Sequence, residues 1–128
     1  MSYHITTTYN GTFDEAIDKT TEELKKEGFG VLTEIDIKET LKKKLDVDFK
    51  KYRILGACNP NMAYQALQKE DKIGTMLPCN VIVEEHDDGT VEVSAVDPMA
   101  SMQAVENEDL AEVATQVRDL LRKVINNI

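Results

Sequence analysis

A chain of 128 residues carrying a net charge of −9, with a pI near 4.7, repels phosphate backbones and anionic lipid, so nucleic acid and membrane surfaces are poor partners for it. Its 41% apolar and 30% charged residues are a globular composition, enough for a core within a single domain over 1–128 without disulfides or a structural metal. No apolar run approaches the roughly 20 residues of a membrane span, and the stretch Met1 to Thr7 lacks the blocks of an export signal, so a soluble cytoplasmic protein with reduced Cys58 and Cys79 is expected.

Tyr3 to Tyr9, rich in Thr and Tyr, reads as a strand that Asn10-Gly11 ends. Thr12 and Glu15 have the spacing of a capping box, and Phe13, Ala16, Ile17, Thr20 and Leu24 share one face of the helix that follows. Gly28 stops that helix, with Phe29 placed to pack back on Leu24. Gly30 to Ile35 is a second strand. Asp36 and Glu39 then open a short helix with Ile37, Leu41 and Leu45 as its apolar side. The basic run Lys42-Lys43-Lys44, with Lys50, Lys51 and Arg53 nearby, reads as a solvated helix face.

Tyr52 to Cys58 is a mostly apolar strand, and Asn59-Pro60 opens a helix with Met62, Ala63, Ala66 and Leu67 inward. Val81 to Val83 and Val91 to Ala95 flank Asp87-Asp88-Gly89, a hairpin signal. A three-residue loop sets Val83 against Val93 and Val81 against Ala95, giving one continuous apolar face. A two-residue loop would set Glu85 against Glu92, a like-charge pair. Gly89 is then expected at positive φ. Asp97-Pro98 ends the second arm, and Asn107 opens a last helix whose stripe is Leu110, Val113, Val117, Leu120, Leu121 and Val124. Five strands interleaved with helices predict an α+β two-layer domain, an antiparallel sheet covered on one face.

The stretches Gly28 to Asp36, Tyr52 to Pro60, Leu77-Pro-Cys-Asn-Val81 and Val93 to Pro98 resemble, in order and spacing, the domain of unknown function 302 family. The resemblance implies a TATA-binding-protein-like fold with a curved antiparallel sheet, and a homodimer. It implies no activity and no DNA binding.

Cys-Asn occurs twice, at Cys58-Asn59 and Cys79-Asn80. If the two strands are antiparallel neighbours, Cys58, Cys79 and Asp97 collect at one end of the sheet beside the start of the Pro60 helix. Free backbone N–H groups there would bind an anion and lower a thiol pKa. The structural alternative makes the cysteines small hydrophobes, Asn59 a cap and Asp97 a turn residue. Arg53, in an otherwise apolar strand, is a partner for Asp97 or for a bound anion, or it snorkels to solvent. No Cys-x-x-Cys or paired His spacing joins Cys58 and Cys79 to His4 or His86, which argues against zinc. Met99 and Met102, with Met62 and Met76, read as gap fillers or interface residues rather than copper ligands. No metal and no cofactor is expected.

Phosphate-loop, nucleophile-elbow and paired catalytic carboxylate patterns are not found. The reading that follows is a homodimeric binding module for a small molecule or a protein, with Cys58, Asn59, Cys79, Asn80, Asp97 and Arg53 as its candidate cluster. The alternative is a thiol-dependent enzyme or redox protein using Cys58 or Cys79. The apolar stretch Met99 to Val105, without an obvious local partner, points to the dimer interface.

Overall fold

Thr12 caps the first helix, α1 (Phe13–Lys26): its hydroxyl accepts from the Glu15 N–H at 3.1 Å, and the Glu15 carboxylate accepts from the Thr12 N–H at 3.0 Å. Because both reciprocal bonds of the capping box form, Thr12→Ala should cost about 0.5–2 kcal/mol of stability, read from the denaturation midpoint. A midpoint left in place would show that the box contributes nothing. At the other end Gly28 takes φ +84°, the Phe29 N–H bonds the Leu24 carbonyl at 2.9 Å, and Gly28 N–H bonds the Lys25 carbonyl. That pair of bonds ends a helix with a left-handed residue.

In the computed structural model, which describes residues 2–128, α1 lies between strands β1 (His4–Tyr9) and β2 (Gly30–Asp36). Then come α2 (Ile37–Leu45), β3 (Tyr52–Cys58), α3 (Pro60–Lys69) and a 3-10 segment over Asp71–Met76. The hairpin β4 (Cys79–Glu85) and β5 (Val91–Val96), the single turn α4 (Pro98–Ser101) and α5 (Asp109–Asn126) complete the chain. The strands form one antiparallel sheet in the order β1-β5-β4-β3-β2.

Alternation along the strands divides the sheet into two faces. Leu55, Ala57, Val81, Val83, Val91, Val93 and Ala95 point to one face and are at most 2% exposed. Helices α1 and α5 cover that face, with α3 packed against α5 and Leu24, Leu121 and Val124 completely buried. The other face carries Asn80, Ile82, Glu84, Glu92 and Ser94, which line an open groove. Gly56 is a requirement of β3: a Cβ there would overlap the Thr33 hydroxyl and come within 2.8 Å of Pro78 Cγ.

The hairpin has the expected register. Val81 faces Ala95, Val83 faces Val93, the His86 N–H bonds the Thr90 carbonyl at 2.8 Å, and Gly89 sits at φ +87°. The charge argument for that register needs correction, because it brings Glu84 directly opposite Glu92.

Helices α2 and α3 bury less than their patterns suggest. No side chain of α2 is buried, and Leu45 and Leu67 are exposed. The Met99 to Val105 stretch does find a local partner, since Met102 and Val105 pack against the core.

Candidate functional site

Strands β3 and β4 are neighbours, and Ala57 stands opposite Cys79, so Cys58 lies one residue beyond that pair. Both thiols are free: Cys79 is buried and Cys58 half-buried. The hairpin register, carried two residues past Val81 and Ala95, sets Asp97 level with Cys79. The end of β3 also delivers Asn59 to the start of α3. Cys58, Asn59, Cys79 and Asp97 therefore gather at one end of the sheet, as the topology argument requires.

Their polar groups are largely committed to structure. Asn59 caps α3, accepting from the Met62 N–H at 3.4 Å, and donates to the Glu27 carbonyl at 3.3 Å. Asp97, only 7% exposed, caps α4 by accepting from the Met99 N–H at 2.9 Å. Burial pushes the Cys79 thiol up to about 11, and the neighbouring Cys58 adds to the effect. A thiol in that setting is a poor nucleophile at neutral pH.

Two predicted members stand apart. Asn80 is exposed on the sheet's other face, because the residue after Cys79 must point the other way. Arg53 sits at the opposite end of β3. Its guanidinium pairs with Glu34 at 2.5 Å and Asp36 at 3.3 Å and lies 5.8 Å from the Phe13 ring centroid. Of the readings open for Arg53, pairing with Asp97 does not occur, since the length of β3 separates them. The predicted methionines are packing groups: Met62 and Met102 adjoin the core, and Met99 Sδ accepts from the Thr115 hydroxyl at 3.3 Å.

Around the surviving cluster are two spaces with shared walls. A small apolar cavity of about 30 Å³ is lined by residues including Ala57, Cys79, Met62, Leu77, Met102 and Val117. Beside it runs an open groove of about 740 Å³, bordered by Asp97, Met99, Gln103, Ala111, Arg118 and Arg122. Met102 and Ala114 belong to both walls. Arg118 forms a loose ion pair with Asp119 at 3.5 Å, while its Nε is buried with no acceptor.

The face carrying Asn80 holds a second polar group that the sequence reading passed over. Donor atoms of Glu84, His86 and Glu92 all lie within 4.8 Å of one another. The His86 ring nitrogen Nε2 contacts Glu92 Oε1, and Lys50 Nζ lies 2.7 Å from Glu84 Oε1. A groove of about 380 Å³ runs from there past Tyr52, Asn80, Ser94, Thr6 and His4. Thr6 links its ends through bonds to His4 Nδ1 at 2.6 Å and Ser94 Oγ at 2.8 Å. The signal was available: Glu-x-His in one arm and Glu92 in the other meet once the loop is fixed at three residues.

Comparison with curated proteins finds no match. Among solved structures, the chain is similar to the "uncharacterized conserved protein DUF302 from Bacillus stearothermophilus", with a TM-score of 0.93 and 29% identity over 99% of this chain and 98% of that one. No helix among the described residues is long and apolar enough to cross a membrane. The family described as "Domain of unknown function DUF302" matches residues 3–128, nearly the whole length of the α+β architecture, and the chain belongs to it.

Proposed function

We propose that this chain is a cytoplasmic small-ligand-binding module that works as a homodimer. Its seat is the groove between α4 and α5 with the apolar cavity behind it. The observation that carries the reading is a pair of arginines, Arg118 and Arg122, in the wall of an open groove that shares Met102 and Ala114 with an apolar recess. A volume of 740 Å³ falls within the range of small-molecule sites. A ligand with a short apolar body and an anionic head satisfies both parts, its head accepting from Arg118.

Octanoate is a suitable probe, followed by calorimetry. Binding should weaken by about tenfold or more in Arg118→Gln, which loses the charge-assisted bond. It should also weaken in Ala111→Trp, which fills the groove from an exposed position. Equal affinity in all three proteins, or none in the parent, would refute the seat.

The homodimer is supported by exposed Leu32 and Ile35 on the edge strand β2, followed along the chain by exposed Leu45, Val47 and Phe49. Light scattering should give twice 14.4 kDa, and Leu32→Glu should halve it. A parent mass of 14.4 kDa at micromolar concentration would refute the dimer. The thiol-enzyme alternative is weakened at Cys79, whose burial keeps it protonated.

A further inference from the structure

The Glu84–Glu92 pairing is the least favourable contact in the hairpin as a bare cross-strand pair. Two carboxylates directly opposite each other repel. They are also partly withdrawn from water, with side chains 14% and 31% exposed, so solvent screening is reduced. Lys50 offsets one charge, from the Glu84 side. His86 lies on the same face two residues beyond Glu84 and brings a ring nitrogen to Glu92. With the imidazole neutral and its Nε2–H donating to Glu92, the group holds two carboxylates and one ammonium, and a cation that shifts the ring proton to Nδ1 finds the freed nitrogen beside both carboxylates. One negative charge is left over, beside a ligand that suits a transition metal.

We propose that Glu84, His86 and Glu92 form a binding site for a divalent first-row transition cation such as Zn²⁺ or Mn²⁺. Three protein donors leave further positions for water or substrate, the pattern of an open site. Metal–ligand bonds of about 2.0–2.2 Å place donors about 3.3–3.6 Å apart in a tetrahedron. The three donor atoms lie within 4.8 Å of one another, so the set forms once the His86–Glu92 contact opens to admit the ion and Glu84 draws in.

The strands themselves are fixed by the His86–Thr90 and Gly89–His86 backbone bonds, at 2.8 and 2.9 Å. Glu84 retains a second oxygen while Lys50 occupies the first. The open positions face the groove of Tyr52, Ser94 and Thr6, which Glu84 and Glu92 also line. A nitrogen donor beside two oxygens favours these ions over Mg²⁺ and Ca²⁺, which take oxygen ligands. The site is on the opposite face from the Arg118 groove and does not depend on it.

The test uses the full chain after chelator treatment, titrated with Zn²⁺ by calorimetry at about pH 7.5, where carboxylates and imidazole are free to ligate. One ion per chain should bind. The affinity should fall by about tenfold or more in His86→Ala and in Glu92→Gln, and should hold in Cys58→Ser. A second measurement needs no variant: Mn²⁺ should broaden amide resonances of residues 84–92 and of neighbouring Tyr52 and Thr8 before any others. Absence of binding, affinity unchanged in both hairpin variants, or broadening centred elsewhere would overturn the proposal.

Discussion

Leu121→Ala should lower the free energy of unfolding by about 2–5 kcal/mol, whereas Leu120→Ala, one residue earlier, should cost much less. Leu121 is completely buried, on the face of α5 that packs against α1, α3 and the sheet strands β1 and β5. Its truncation removes apolar contacts on several sides and leaves a cavity that rigid strands do not collapse into. Leu120 is only half-buried and shares its surface with solvent. Urea midpoints of the two variants decide the matter. Equal losses would mean that α5 is rotated about its axis from the position described.

That pair of leucines shows what periodicity resolves and what it leaves open. The stripe Leu110, Val113, Val117, Leu121 and Val124 was legible because burial on a helix recurs at its turn period. Leu120 fell within the same window, and spacing alone does not grade exposure across it. The strands and the hairpin register were legible for the same kind of reason. Alternate valines reach a single apolar face only when Asp87-Asp88-Gly89 forms the loop.

The pairing of β1 with β5 was not legible, since it joins strands far apart in the chain, with Thr6 and Ser94 separated by 88 positions, and no local pattern encodes it. In the candidate cluster, sequence neighbours misled. Cys79 and Asn80 are adjacent in the chain but on opposite faces of the sheet. Arg53 and Cys58 are on one strand but at its two ends, where Arg53 meets acidic residues of β2 instead of Asp97. The Glu84–His86–Glu92 group was hidden for the opposite reason. Its members look like solvated charges until the register sets Glu84 opposite Glu92, with His86 two residues further along the same face.

Cys79 carries the second large effect, a loss of stability in alkali. Burial raises its thiol from an ordinary value of 9.0 to about 11. Below about pH 9 the thiol is protonated whether the chain is folded or not, and the stability is fully present. As pH rises from 9 toward 11 the unfolded chain ionises at Cys79 while the folded chain holds the proton, so the unfolded state gains. Two units correspond to about 3 kcal/mol, complete once the pH has passed the folded value. Urea unfolding at intervals between pH 8 and 11 measures the slope. Tyrosines and lysines titrate in the same window, so the reading is the difference between the parent and Cys79→Ala, in which the thiol is gone and the slope should be shallower. Alkylation supplies an independent check. At about pH 8 a maleimide should modify half-buried Cys58 and leave Cys79 untouched until the chain is unfolded, because reaction requires an accessible thiolate. Parallel stability curves, or equal labelling of both cysteines in the native protein, would place Cys79 in contact with water and restore it as a candidate nucleophile.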